Sequence, residues 1–191
     1  MEREKAIRLL KESEALLEGH FILTSGNHSQ FYVQCALLMS YPEIAKEFFY
    51  DIANHFIDYD IDTIVAPAIG GIVVSYGVAE ALGKRSIFLE REKGIFTLRR
   101  GFNVSKGERV LLVEDVITTG GSITEVANVL RNLGAEIVAF ASIVNRSSGR
   151  FTPEEEYYYS VEMDFPIYKP DECPLCKKNI PLVKPGSRGL K

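Results

Sequence analysis

The chain has 191 residues, 22 Lys and Arg against 26 Asp and Glu for a formal charge of -4, and 46% hydrophobic residues. That length buries a full core as one domain, and the composition excludes a predominantly disordered chain. The acidic balance attracts no polyanion in general, so no nucleic-acid partner is expected and any phosphate site has to be local.

No apolar run approaches the roughly 18 residues that cross a bilayer, and the run over 69–74 is broken by glycine. The charged start, Met1 to Lys5, predicts no secretory signal. Three cysteines make no disulfide framework. A reducing cytoplasm and no membrane association are therefore expected.

In chain order, Ala6, Leu9, Leu10, Leu16 and Leu17 share one helical stripe, which predicts a helix over 5–17 ended by Gly19. Extended pieces follow over 21–23 and 31–38, separated by a turn over 24–29. Pro42 opens a longer amphipathic helix carrying Ala45, Phe48, Phe49, Ile52, Ala53 and Phe56. The middle then alternates: strand 61–66, helix 70–82, strand 86–89, strand 109–113, helix 122–133 and strand 136–144. Continuous apolar strands with intervening helices predict a mostly parallel α/β sheet flanked by helices, with ligands at the carboxyl ends of its strands.

Between 90 and 106 the apolar pattern weakens and Arg91, Lys93, Arg99, Arg100 and Lys106 gather, which reads as a mobile excursion or β-ribbon beside a site. Beyond Gly149 come three glutamates, three tyrosines, a strand near 161–165 and a proline-rich tail with Cys173 and Cys176. Those two cysteines have zinc-knuckle spacing but no second ligand pair in sequence, so packing of a tail turn is the expected role. His20, His28 and His55 are read as structural.

The densest chemical signal runs from Val110 to Ser122: a buried strand, the carboxylates Glu114 and Asp115, Val116 and Ile117, then Thr118, Thr119, Gly120, Gly121 and Ser122. Backbone N–H groups of such a turn and of the helix it opens cradle a monophosphate, with hydroxyls as further donors. Carboxylates beside a phosphate repel it unless they hold sugar hydroxyls or an intervening Mg2+, a hard cation that keeps several waters. The dinucleotide fingerprint has no acidic pair before its glycines, and a nucleoside-triphosphate loop needs a lysine where Ser122 stands.

The segment from Val113 to Ser122 resembles the phosphoribosyl pyrophosphate signature of the type I phosphoribosyltransferases. Leu23 to Gly26 with Phe31 and Tyr32, Ala66 to Gly71, Phe88 to Glu92, Leu98 to Phe102, and Asn145 with Arg146 narrow the resemblance to the orotate phosphoribosyltransferases, as do the tail segments Cys173 to Cys176 and Val183 to Arg188. The resemblance implies one phosphoribosyltransferase domain over 1–191, with 1–40 and 157–191 forming a small hood and tail and 90–106 a catalytic loop. It implies transfer of phosphoribosyl from phosphoribosyl pyrophosphate to orotate with Mg2+ as cofactor, in a homodimer with shared active sites.

Its implied site joins Glu114, Asp115 and residues 116–122 to the loop at Ile69 and Gly70, which grips pyrophosphate through a strained peptide bond assigned to that pair. Arg91, Lys93 and Arg99 face pyrophosphate, with Asp115, Arg91, Lys93 and Glu114 as the catalytic set. Thr118, Arg146, Phe31 and Tyr32 face orotate, and strand alternation lets only one of the two aromatic rings point at the base. Two departures stand out: residues 90–106 hold no histidine, and Thr24 stands where many members carry a lysine. Another nucleobase as acceptor, or a nucleotide-sensing RNA-binding regulator of the same fold, are the alternatives; the second needs a basic face that the composition does not supply.

Overall fold

The structure, a computed structural model, describes residues 1–23 and 25–185. Thr24 and the end of the tail resemblance, Gly186 to Arg188, lie outside the described residues. No helix among the described residues is long and apolar enough to cross a membrane.

Helix α1 spans Arg3–Glu12 and ends five residues before its apolar stripe predicts. The Ser13 hydroxyl donates to Leu9 O at 2.9 Å and Glu14 takes a left-handed φ of 56°, so the chain turns there. Leu16 and Leu17 belong instead to β1, Leu16–Ile22, paired antiparallel with β2, His28–Val33. β2 also stops before its predicted end, because Cys35–Met39 closes into the short helix α2. Pro42 opens α3, Pro42–His55, as its fixed φ favours.

The α/β core follows: β3 (Thr63–Pro67), α4 (Gly71–Leu82), β4 (Arg85–Glu92), β5 (Ile95–Leu98), β6 (Arg109–Ile117), α5 (Gly121–Asn132), β7 (Glu136–Asn145) and β8 (Glu156–Glu162). Their sheet order is β5-β4-β3-β6-β7-β8, parallel throughout except for the β4–β5 edge hairpin. The predicted strand at 161–165 is thus β8, displaced toward the triple tyrosine. Ala45, Phe48 and Ile52 of α3 and Val74 and Val78 of α4 pack one face of the sheet, and Ile123, Val126 and Leu130 of α5 the other. Val110, Leu111, Leu112 and Val113 of β6 have no exposed surface. Burying each such side chain stabilises the fold by about 1.5–3 kcal/mol.

Sheet order reverses between β3 and β6, since β4 lies on one side of this pair and β7 on the other. Loops leaving the carboxyl ends of β3 and β6 diverge there and open a crevice, the usual ligand position in such sheets.

A second, three-stranded sheet of order β1-β2-β9, with β9 at Ile167–Tyr168, forms a hood. The tail continues through the four-residue helix α6, Pro174–Lys177, and returns beside β1. There Ile22 N–H donates to Val183 O at 2.9 Å and Val183 N–H to His20 O at 2.8 Å.

Candidate active site

Strand β6 runs through the acidic pair to Ile117, four residues beyond its apolar run, so Glu114 and Asp115 are held by sheet hydrogen bonds instead of lying in a loop. The chain then turns through Thr118 and Thr119 into α5, whose preceding residue Gly120 has a φ of 73°. A side chain at Gly120 would also overlap the ring of Phe151. Glycine is therefore required by both backbone and space. Glu114, Val116, Ile117, Thr118, Thr119, Gly120, Gly121 and Ser122 enclose a depression of about 70 Å³ at the N-terminus of α5. N–H groups at a helix start and the positive helix end suit such a depression to an anion.

Asp115 faces the other loop of the crevice. A Cβ added to Gly70 would lie 2.7 Å from Asp115 Oδ2, so absence of a side chain at Gly70 lets this carboxylate rest on the β3–α4 loop. The cis peptide in that loop joins Ala68 to Ile69, one bond before the pair to which the strained bond is assigned by resemblance. Ile69 itself is 85% exposed.

Neither Glu114 nor Asp115 forms an ion pair among the described residues. Burial, and then the neighbouring Asp115 charge, pushes Glu114 up to about 8. Burial also raises Asp115, against the opposing pull of Val116 N–H, which donates to Oδ1 at 2.9 Å. Two half-buried carboxylates disfavoured as anions by their burial are a donor set suited to a divalent ion or to sugar hydroxyls.

Beside the turn lies a cavity of about 680 Å³, bordered by Asp115, Thr118, Thr119 and Arg146 and roofed by Tyr32, Phe165 and Ile167. Of the two aromatic candidates on β2, Tyr32 borders the cavity. Phe31 stacks on Phe165 with ring centroids 4.8 Å apart, behind the roof. Arg146 follows β7, with its guanidinium 5.4 Å from the Phe165 centroid. Burial pulls its pKa below the ordinary value, partly offset by Tyr32.

The hairpin residues stand apart. Lys93 and Gly94 both have positive φ, 51° and 88°, and form the two-residue corner of the β4–β5 ribbon. Arg91 pairs with Glu125 of α5 at 2.8 Å and lies over the Phe96 ring, Arg99 approaches Glu92 at 4.0 Å, and Arg100 pairs with Glu90 at 2.8 Å. Arg91, Lys93 and Arg99 border neither the cavity nor the turn.

Residues not singled out from sequence also border the cavity, notably Gln34, Cys35, Ser148 and Arg150. Arg150, a second cation near Arg146, donates from Nε to Ser147 O at 2.9 Å. Its one sequence signal is its place in the loop that leaves β7.

Residues 39–169 match the family model described as phosphoribosyl transferase domain. The chain is 47% identical over 190 residues to an orotate phosphoribosyltransferase of Caldanaerobacter subterraneus, covering 100% of both chains. It is 49% identical over 183 residues to that of Thermotoga maritima, covering 96% of this chain and 98% of the relative. The chain belongs to the orotate phosphoribosyltransferase family. Membership accounts for the agreement between the sequence motifs and the crevice at the β3–β6 reversal. The fold is also that of the crystal structure of orotate phosphoribosyltransferase from Aeropyrum pernix, with a TM-score of 0.68, 24% identity, and coverage of 82% of this chain and 92% of that one.

Proposed function

We propose that this chain transfers the 5-phosphoribosyl group of phosphoribosyl pyrophosphate to orotate, giving orotidine 5'-phosphate and pyrophosphate in pyrimidine nucleotide synthesis. The observation that carries this reading is one crevice holding an anion cradle, a pair of carboxylates without a cation and an arginine-bordered cavity. A donor with a 5-phosphate, ribose hydroxyls and a leaving group at C1 meets all three at once.

In this reading residues 118–122 hold the 5-phosphate, and Glu114 and Asp115 face the ribose hydroxyls. The backbone at Ile69 and Gly70 faces the pyrophosphate. Thr118 and Arg146 orient orotate through its polar edge, with Tyr32 over the ring and Phe31 supporting Phe165. Cleavage at C1 develops oxocarbenium-like charge, which the fixed carboxylates favour electrostatically. Orotate N1 ionises readily, so positioning replaces a strong protein base and no protein nucleophile is required. Glu114 and Asp115 would hold Mg2+, which would neutralise charge on the pyrophosphate.

Arg91, Lys93 and Arg99 are assigned to pyrophosphate across a dimer, since they border no part of the cleft in their own subunit. The exposed Arg91–Glu125 pair is held by only about 0–1 kcal/mol, so phosphate oxygens can replace Glu125. A second copy also suits the exposed apolar residues Val73 and Tyr76 on the first turns of α4 and Ile69 in the loop before it. Unpaired thiols support a reducing, cytoplasmic setting.

The assay follows loss of orotate absorbance after addition of phosphoribosyl pyrophosphate, with and without Mg2+, and repeats it with uracil and purine bases. Turnover of orotate alone, dependent on Mg2+, is the expected result. Turnover of another base in its place overturns the assignment of the acceptor. For the dimer, Tyr76→Asp shifts the mass by light scattering from two chains to one and removes activity; an unchanged mass contradicts the assigned interface.

A further inference from the structure

The tail turn expected to be packing alone meets the two histidines of the hood. His20 on β1, His28 on β2, Cys173 just before α6 and Cys176 within it place one ligand atom each within 4.8 Å of one another. His20 Nε2 and His28 Nδ1 are 3.0 Å apart, and Cys173 Sγ lies 3.5 Å from His20 Nε2. Cys176 Sγ lies 3.7 Å from His20 Nε2 and 3.3 Å from His28 Nδ1. Ligand bonds of about 2.0–2.1 Å to nitrogen and 2.3 Å to sulfur at tetrahedral angles set ligand atoms about 3.3–3.8 Å apart. The cluster is close to that spacing already.

Hydrogen bonding to His20 uses only one of its three close approaches within the cluster. His20 Nδ1 is 2.8 Å from Ile180 O, an acceptor only, so Nδ1 carries the proton and donates it there. A neutral His20 then turns a single lone pair, on Nε2, toward three neighbours: His28 Nδ1, Cys173 Sγ and Cys176 Sγ. One lone pair cannot accept from all three, whereas a cation at their centre is met by all four groups. The Ile180 carbonyl acts as the outer partner that fixes the tautomer of a metal-bound imidazole.

We propose that His20, His28, Cys173 and Cys176 form a structural site for one zinc ion, separate from the catalytic cleft, which fastens the C-terminal tail to the hood. Two thiolates and two neutral imidazoles neutralise Zn2+, which suits a site whose His20, His28 and Cys173 are 2%, 4% and 0% exposed. Soft sulfur ligands select zinc over the Mg2+ of the reaction. Four protein ligands also leave no open position, the mark of a structural site. Binding displaces the two thiol protons to solvent.

The location gives the ion a purpose. The hood's third strand, β9, is held to β2 by only two residue pairs, His28 with Tyr168 and Ser29 with Ile167. Ile167 roofs the base cavity, and Tyr32 reaches it from the same strand as His28. The zinc therefore anchors the roof over the base without touching the substrate.

The test is metal content by plasma mass spectrometry on enzyme purified without chelators and washed with excess Mg2+, followed by replacement with Co2+. One zinc per chain is expected, and the cobalt form is expected to show strong visible bands of tetrahedral Co2+ with thiolate charge transfer. Cys173→Ser with Cys176→Ser removes both signals, while His55→Gln, a histidine bonded to Glu156 outside the cluster, keeps them. Stripping zinc from the unmodified enzyme lowers its melting temperature by about 5–10 °C, and restoring zinc restores it. Where the double cysteine variant does not fold, stoichiometry and the cobalt spectrum of the unmodified enzyme decide alone. Absence of zinc, a six-coordinate cobalt spectrum without thiolate bands, or a Cys173–Cys176 disulfide in enzyme kept reduced would each overturn the proposal.

Discussion

The phosphate turn and the hood solve the same problem, holding a few polar groups at fixed positions, by opposite means. At the turn, nine consecutive positions from Glu114 to Ser122 border the crevice; strand β6 is fully buried through Val113 and α5 begins after a required glycine. Local hydrogen bonds and a deep core suffice there. In the hood, a two-residue strand and an irregular tail are brought to β1 and β2 across more than 130 residues of chain, with little apolar surface to hold them. Ordering such a segment is entropically costly, and small units of this kind rely on metals or crosslinks. The contrast predicts that damage to the turn abolishes chemistry while damage to the hood loosens substrate binding.

The largest effect is expected at the acidic pair. Asp115→Asn lowers kcat/KM by on the order of 100-fold or more while leaving the melting temperature equal or higher, because a buried charge is removed. Equal steady-state rates in the variant and the parent exclude the assigned role. Gly120→Ala follows: a left-handed φ and the Phe151 ring both oppose a methyl group, so urea denaturation should show a loss of about 2–4 kcal/mol. A variant as stable as the parent would show that the turn tolerates other backbone shapes. Removing the hood cluster ranks third. Cys173→Ser with Cys176→Ser raises KM for orotate several-fold and leaves KM for phosphoribosyl pyrophosphate nearly unchanged. Equal changes in both constants would mean that hood and turn are one mechanical unit.

The smallest effect concerns pH. Glu114 has a folded pKa raised to about 8, so the folded protein binds more protons than the unfolded chain between the ordinary carboxylate range and pH 8. Stability of the ligand-free enzyme therefore falls as pH rises through that window. Glu114→Gln flattens this slope and stabilises the protein by about 1–2 kcal/mol at pH 8. A slope identical to the parent's, measured by denaturation from pH 5 to 8, would show that Glu114 ionises freely.

The contrast also explains what could be read from the chain beforehand. Val110 to Val113 and the following turn are legible because strand, carboxylates, glycines and helix start are contiguous, and the α/β order follows from the same short-range patterning. Boundaries went astray where two patterns overlapped. Leu16 and Leu17 extend the stripe of α1 although Ser13 and Glu14 have already ended the helix, and the three tyrosines of β8 hid its start. The partners of Cys173 and Cys176 are illegible, since His20 and His28 lie 153 and 148 residues away from them in sequence. Arg150 was missed for a related reason: only the fold of the β7–β8 connection turns it to the cavity. Arg91, Lys93 and Arg99 are legible as cations, yet charge does not say what a side chain faces, and Arg91 pairs with Glu125 of α5.

The most direct measurement is a crystal structure with phosphoribosyl pyrophosphate and Mg2+ bound. It should place the 5-phosphate between Thr118 and Ser122, and the ribose hydroxyls toward Glu114 and Asp115. A donor seated elsewhere, with that turn free of phosphate and both carboxylates directed away from the sugar, would contradict the account.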